Sequence, residues 1–563
     1  MSAARERTAR AAGWLAPVAV GLVAFGAARL AMLPDVGFWD TAELQAVPPL
    51  MGTAHPTGFP TYILLGWLVN IVLSPFGEPA FRMNLFAAIS LAVAAAVTVD
   101  LVRALTRSAV LGVTAGLGLA LTEVAWAIGT HADAHALHLA LVAILLRLLV
   151  AWEDRVVDEP GAGGSSDRFL VAAAVVFGLA LGNHSLTLLL APAIALYVPA
   201  VDPRSLGRPR LISACVGALA VTVVLVFLEL PLRAGPFRAP MVYGRPETWD
   251  GFRYIVLAEQ FRESVAGPLT DLPSKVAEIV RHMSAAFGPL AALIPIGFVA
   301  TAIRRPAYAL LSGTAVLLTC AFAASYDNAE IERYYLGPVL MAWTWLAILA
   351  GGVIGVLSGT IGRDPELDLE PHAGLEAEQG HDTAPTTAAA AQPGHGTPAT
   401  IATGAATGRL AGRSPTSPDP ILALGLAAAL LIPTAFALPY RLARVDRSHD
   451  FAAREWLDRS LAEMRPDAVV VSWWSYSTPL WYAQHIEGQR PDLTVIDDRT
   501  RLDQGLGDIT DVIDANLPNR PVYVIRVDPV ELATLERRYV LEPVDDADPS
   551  LLTRVVSRRE AGE

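Results

Sequence analysis

The sequence predicts an α-helical polytopic membrane protein with about eleven transmembrane helices and a small C-terminal α/β domain outside the membrane. Three observations predict it. The 563 residues are 53% hydrophobic, with a mean hydropathy of +0.43, a balance foreign to soluble domains. Apolar runs long enough to cross a bilayer recur up to residue 357 and return at 419–440. Residues 441–563 then change to short β-branched runs alternating with helical patterns, as in an α/β unit.

The first span, 11–33, follows a basic tail with Arg5, Arg7 and Arg10, which the positive-inside rule puts in the cytoplasm. It carries no clear small-residue cleavage site and reads as a retained anchor. Further spans are expected at 83–104, 109–129, 134–152, 168–182, 185–201, 211–232, 284–303, 306–325, 335–357 and 419–440. The apolar stretch 58–76 carries Pro60, Asn70 and Pro75. If it lies along the interface, the arginines at 103–107, 204–210 and 304–305 all fall on the cytoplasmic side, as the rule prefers. It is therefore expected to be an amphipathic or re-entrant segment.

This divides the chain into a membrane module at 1–357, a linker at 358–418, a last span at 419–440 and an extracytoplasmic domain at 441–563. The linker is rich in Ala, Thr, Pro and Gly, a composition that cannot bury enough apolar surface to fold. It is expected to be disordered and cytoplasmic. In the last domain, 450–464 and 478–487 read as helices, and 468–472, 493–496 and 522–525 as strands. Trp473, Trp474, Trp481 and Tyr482 are expected in its core or at its contact with the membrane module rather than as a sugar platform.

Composition also excludes. A net charge of −13 argues against nucleic acid, whose phosphates want a basic surface. Cys215 and Cys320 each lie in an apolar run and suggest neither a disulfide framework nor a cysteine metal site. No Gly-x-Gly-x-x-Gly follows a strand, so a nucleotide site has no support. The near-exclusive use of arginine over lysine points to a GC-rich bacterial genome, and hence to a bacterial cytoplasmic membrane.

On this topology an unusual set of polar residues shares the outer face. The first loop holds Asp40, Glu43 and His55. Later loops bring His131, Asp133, His135 and His138, then Asn183 and His184, then Arg233, and finally Arg333. Ionisable groups at a membrane boundary are costly unless paired or solvated, and they often mark a substrate path. Each also has a structural reading: His135 and His138 at a helix start, Asn183 and His184 satisfying backbone where two spans meet, Arg233 snorkelling to headgroups. The cluster His131, Asp133, His135 and His138 is dense in possible zinc ligands, but His-Glu-x-x-His is missing, and no metal site is predicted.

The ordered motifs resemble a known group. Asp40-Thr-Ala-Glu-Leu44 is similar to the Asp-Ser-Gly-Glu-Leu of a GT-C superfamily of membrane glycosyltransferases, long a domain-of-unknown-function family, which includes a eukaryotic protein O-mannosyltransferase. Ala54-His-Pro-Thr-Gly-Phe-Pro60 looks like its Ala-His-Pro-Pro-Gly-Tyr-Pro, and Arg82-Met-Asn-Leu-Phe86 like its Arg-Val-Asn-Leu-Phe. Trp126 with His138, Gly182-Asn-His184 and Leu230-Pro-Leu-Arg233 also match. Asp133 stands where the family has Glu and His135 where it has Tyr, while Ala42 replaces a Gly. The resemblance covers about 34–340.

It implies a GT-C fold, a polyprenyl-phosphate hexose donor, usually mannose, and a catalytic Asp in the first outer loop. Asp40 is then the expected base in an inverting transfer to a protein or glycan hydroxyl, with Glu43 and Asp133 in second rank. Arg233 and Arg333 are expected to meet the phosphate bidentately. His55 would bind phosphate or orient Asp40, and His135, His138, Asn183 and His184 would bind substrate. No cofactor is called for beyond the lipid-linked sugar. The competing class is a multi-spanning transporter or an export protein for lipid or polysaccharide, although such proteins place their sites near the midplane, often between internal repeats.

Overall fold

The computed structural model describes residues 3–158, 163–267, 270–359, 420–544 and 552–559. Nearly all of the expected linker therefore lies outside the described residues. Among these residues, nine helical segments are long and apolar enough to cross a membrane. They are Gly13–Leu30, Pro79–Thr106, Ala134–Asp158, Ser166–Asn183, Pro209–Ala234, Leu272–Arg304, Pro306–Ala323, Ile331–Leu357 and Pro420–Val445.

Two of the eleven expected spans fall short. The run at 109–129 breaks into Ala109–Ala120 and Glu123–Ile128. At the break the Thr122 hydroxyl donates to the Gly118 carbonyl at 2.7 Å, and the Leu121 carbonyl accepts from Arg441 at 2.8 Å. The run at 185–201 opens as a 3₁₀ turn and continues as a short α-helix, Ala191–Val201. Hydropathy alone does not register such breaks.

The site is built on four helices: α1 (Ala3–Leu30), α2 (Trp39–Leu50), α3 (Pro60–Val72) and α4 (Pro79–Thr106). Helix α3 has 13 residues, about 20 Å of rise against a hydrocarbon core of about 30 Å. It is too short to cross, in keeping with the interfacial expectation for 58–76. Proline at its first position and again at the start of α4 presets the helical φ where no backbone donor is needed.

Two buried amides lock the loop between α1 and α2. Gln45 donates to the Asn84 side chain at 3.0 Å and to the Asp35 carbonyl at 3.1 Å, and accepts from the Gly37 N–H at 2.9 Å. Asn84 donates to the Leu33 carbonyl at 2.9 Å and accepts from the Ala132 N–H at 2.8 Å. Arg82 holds the Asn70 side chain at 3.1 Å, tying α4 to the end of α3. These bonds give the Arg-Met-Asn run its structural meaning: it staples the loops around Asp40 and Asp133 to one helix.

At the other end of the bundle, Arg305 donates to the Ala104 carbonyl at 3.1 Å and Arg304 to the Gly352 carbonyl at 3.2 Å. Arg103 donates to the Gly13 carbonyl. These arginines thus share the end opposite Asp40.

The C-terminal domain carries a five-stranded sheet of order β2-β1-β3-β5-β4. Strands β1 (Val469–Val471), β2 (Thr494–Ile496) and β3 (Val522–Val524) are parallel, with Val469 opposite Thr494 and Val522. Their composition, β-branched apart from Tyr523, suits burial on both faces. The hairpin β4 (Tyr539–Pro543) and β5 (Thr553–Arg558) adds the antiparallel edge. It was not anticipated, because Arg554 and Arg558 interrupt its apolar pattern.

This domain is docked firmly. The helix Trp474–His485 packs on α2, and one buried core runs from Val47 and Tyr62 through Leu457, Leu480 and Tyr482. The Tyr482 hydroxyl accepts from the Ala80 N–H at 3.0 Å, satisfying a donor in the first turn of α4. Arg454 bonds Asp35 at 2.9 Å, and Thr478 donates to the Trp39 carbonyl at 2.8 Å. Trp473 meets Trp39 edge-on with centroids 4.8 Å apart. The expected tryptophan contacts are therefore present, with one addition.

Candidate active site

That addition is a second role for Trp474, beyond the domain contact expected of it. Its indole N–H donates to Asp40 Oδ1 at 3.0 Å. The other carboxylate oxygen, Oδ2, faces His55 Nε2 at 3.8 Å, beyond hydrogen-bond length. The Asp40 side chain is 37% exposed, and Oδ2 has no hydrogen-bond partner among the described residues. Burial by itself would raise this carboxyl. The His55 and Arg333 charges and the Trp474 hydrogen bond outweigh it, and hold Asp40 below the usual carboxylate range. The backbone here is held in unusual conformations: Trp39, Met51 and Phe59 have φ of 57°, 47° and 45°. Left-handed backbone is uncommon for bulky residues and tends to cluster at functional sites.

Glu43 stands one helical turn beyond Asp40 and is 2% exposed. It accepts from the His55 backbone N–H at 2.9 Å and bonds His55 Nδ1 through its second oxygen. Both of its oxygens are thus committed to His55. Burial would lower the His55 imidazolium, but the Glu43 and Asp40 carboxylates prevail and push it up to about 9. The turn that delivers His55 ends at Gly58, φ 82°, where a Cβ would meet Ile255 at 2.9 Å. Asp40, Glu43 and His55 offer ligand atoms within 4.8 Å of one another. The closest pairing among them is the hydrogen bond between His55 Nδ1 and Glu43.

Asp133 is buried beside Arg333. It accepts from Arg333 Nη1 at 3.1 Å, and from the His135 backbone N–H and Nδ1 at 2.7 and 2.9 Å. Burial would raise it, yet Arg333 and His135 hold it well below the carboxylate range. Burial and Arg447 push His131 down to about 3, so its ring is neutral at physiological pH. Arg333 also pairs with Glu330, and its buried Nε has no partner among the described residues.

Next to this pair, the His135 and His184 rings lie 4.6 Å apart, with His138 5.7 Å from His184. His135 Nε2, His138 Nδ1 and Asn183 Oδ1 are buried without partners among the described residues, although the Asn183 amide donates to the Ala134 carbonyl at 2.9 Å. Buried polar atoms normally find partners, so such a group of vacancies in one place suits a polar ligand.

Arg233 alone lies apart in its bonding. Its Nε and Nη2 donate to the carbonyls of Met51 and Leu50 at 2.6 and 3.0 Å. It closes the C-terminus of α2, where a cation also meets the helix dipole. A residue picked out as a phosphate ligand by position is thus engaged with backbone.

The fold and site together define a polytopic membrane protein with an acid–histidine–arginine centre at one end of its helical bundle, completed by the C-terminal domain. Residues 40–205 match the family model described as "Protein O-mannosyl-transferase TMEM260 N-terminal domain", which bears out the resemblance seen in the motifs. The chain is 26% identical over 337 residues to the mouse Protein O-mannosyl-transferase TMEM260, a match covering 57% of this chain and 45% of the mouse protein. The chain thus spans less than half the length of that relative. Among solved structures it resembles ArnT from Cupriavidus metallidurans bound to undecaprenyl phosphate, with a TM-score of 0.54, 15% identity, and coverage of 98% of each chain. The apo form of ArnT gives a TM-score of 0.54 at 14% identity, covering 97% of this chain and 98% of that one. At this identity the likeness is one of fold.

Proposed function

We propose that the chain is an integral-membrane glycosyltransferase that moves a hexose from a polyprenyl phosphate to an acceptor hydroxyl on the outer face of a bacterial cytoplasmic membrane. Kinship with the mouse protein O-mannosyltransferase favours mannose as the sugar and a protein Ser or Thr as the acceptor. The lipid carrier bound by ArnT supports a polyprenyl-phosphate donor. The observation that carries the reading is Asp40: an ionised carboxylate, oriented through one oxygen by Trp474, with its second oxygen free of hydrogen bonds among the described residues.

In the step proposed, the acceptor oxygen attacks the anomeric carbon and forms the new C–O bond with inversion. The bond from that carbon to the phosphate oxygen breaks, and its electron pair leaves with the polyprenyl phosphate. The acceptor proton passes to Asp40 Oδ2. A base held below its ordinary pKa takes the proton only as the C–O bond forms, when the hydroxyl has become acidic. Arg333 stabilises the leaving phosphate, its unpartnered Nε being a donor in reserve. Asp133 and Glu43, placed in second rank from the sequence as residues that could bind sugar hydroxyls, become positioning residues: Asp133 aims Arg333 and His135, and Glu43 fixes His55 over Asp40. The vacant atoms of His135, His138 and Asn183, with His184 beside them, suit sugar hydroxyls. Arg233 positions the end of α2 and does not serve the phosphate. The apolar face of α3 supports a groove for the prenyl chain.

Purified protein incubated with labelled polyprenyl-phosphate mannose should transfer label to a hydroxyl acceptor. Retention of all label on the lipid would refute the reading. The orientation, with the N-terminus cytoplasmic and the C-terminal domain outside, follows the positive-inside rule. Reporter fusions at residues 107 and 563 should report opposite sides, and the same side for both would overturn it.

A further inference from the structure

Between the outer loops and the C-terminal domain lies a cleft of about 450 Å³. Its walls include Glu43 and Trp474, so it adjoins the Asp40 centre. One wall is a short extended segment. Residues 241–243 run parallel to Thr53, with Val242 as its bridge partner. The Thr53 N–H donates to the Met241 carbonyl at 3.1 Å, and the Tyr243 N–H to the Thr53 carbonyl at 3.2 Å. The Thr53 hydroxyl secures the same edge through Tyr243.

In an extended strand, successive residues direct their backbone groups to opposite edges. Met241 and Tyr243 therefore use the edge toward Thr53, and Val242 presents its N–H and C=O on the other. Neither has a hydrogen-bond partner among the described residues. Every residue from Pro240 to Arg245 lines the cleft. An unpaired edge of this kind is a template for another strand.

The opposite wall is aromatic. Trp474 sits 5.4 Å from Tyr243 and 5.8 Å from Trp481. Arg499 lies over the Tyr243 ring at 5.3 Å, and its buried Nε has no partner among the described residues.

We propose that this cleft binds the acceptor as an extended polypeptide, pairing backbone to backbone with Val242. The inference rests on the transferase reading and adds to it a mode of recognition. Strand addition takes its affinity from main-chain bonds and its selectivity from alternate side chains. A strand added about 4.8 Å from Val242 would run beside Trp474, whose indole already holds Asp40. Side chains on one face of that strand, a Ser or Thr among them, then reach toward Oδ2, while those on the other face meet Arg499. A glycan has no regular alternation of amide donors and carbonyl acceptors to match this edge.

The test uses the full chain in lipid nanodiscs, polyprenyl-phosphate mannose as donor and threonine-containing peptides as acceptors. In wild-type protein, N-methylation of one peptide amide at a time should raise the peptide KM about tenfold at the one position whose N–H meets the Val242 carbonyl, the effect of one lost hydrogen bond, and leave the amides on either side of it unaffected. Val242→Pro removes the Val242 donor without touching the bonds to Thr53, and should raise the peptide KM about tenfold, more than it lowers kcat. Equal loss at every position, loss at none, or a Val242→Pro protein with wild-type peptide KM, overturns the proposal. Transfer to a lipid or glycan hydroxyl, with peptides neither accepting nor competing, overturns the polypeptide site and leaves the transferase standing. Failure to release sugar to any acceptor, water included, refutes both.

Discussion

Trp474→Phe tests whether the C-terminal domain acts on the base. The substitution keeps an aromatic ring near His55, Tyr243 and Trp481 but deletes the N–H that reaches Asp40 Oδ1 at 3.0 Å. A hydrogen bond to an ionised group contributes about 1.5–3 kcal/mol. Asp40 is 37% exposed, and solvent competition reduces the effect to about 1 kcal/mol. That is a fall of roughly fivefold in kcat/KM at neutral pH if the bond aligns the carboxylate for the transition state. The second consequence is a change in pH dependence. Asp40 works ionised, so activity is present above its pKa and lost as pH falls through it. The Trp474 bond lowers that pKa; without it, the acid limb of the profile moves to higher pH. The assay is kcat/KM for sugar transfer across the acid range, with wild type and variant in the same lipid. A variant with reduced turnover but an unmoved acid limb would show that Trp474 only packs, and the proposed control of Asp40 would be wrong.

Asp40→Asn keeps the shape and removes the base; turnover should drop on the order of 10²–10⁴-fold while donor binding, followed by labelled-lipid titration, persists. Near-normal turnover would move the base elsewhere. His55 has its pKa raised to about 9 by the carboxylates of Glu43 and Asp40, and is 14% exposed. Its pairing should stabilise the fold fully below about pH 6.5 and lose that contribution, on the order of 3 kcal/mol, as pH rises through about 9. Thermal unfolding across this range should fall in wild type and stay flat in His55→Gln; parallel curves would refute it. Chelators should leave transfer within about twofold, because the His55 ring nitrogen nearest Glu43 is already engaged by a hydrogen bond and the pair needs no ion to neutralise it. Activity that disappears with chelation and returns with one divalent metal would assign the three residues to that metal instead.

Much of the centre was legible because its residues sit in short local motifs. Asp40, Glu43 and His55 lie within one loop–helix–loop unit, and Asp133 with His135 in another, so spacing alone brings each group together. What joins the two units is nonlocal. Arg333 reaches Asp133 across 200 positions, a distance at which periodicity carries no information, although the loop assignment put both on one face. Trp474 was legible only as an aromatic at a domain contact; its aim at Asp40 depends on how the sheet domain docks. Arg233 shows the converse. Its place at the end of a span suggested a phosphate ligand, whereas its Nε and Nη2 donate to the carbonyls that end α2, a bond between residues more than 180 positions apart that spacing does not reveal. The sequence counts one span too many at 109–129 because apolar composition persists through the turn at Leu121, whose exposed carbonyl is met by Arg441 from a distant helix.

The bond between Trp474 and Asp40 joins residues 434 positions apart. Asp40 lies in the first turn of α2, and its partner about five-sixths of the way along the 563 residues. Throughout synthesis and insertion, then, the carboxylate stands in a half-built pocket, without the indole that aligns it and without one wall of the cleft. Contacts of such separation form late, since loop closure must precede them. Until the C-terminal domain has folded and docked on α2, the centre built around Asp40 lacks the group that aligns its carboxylate.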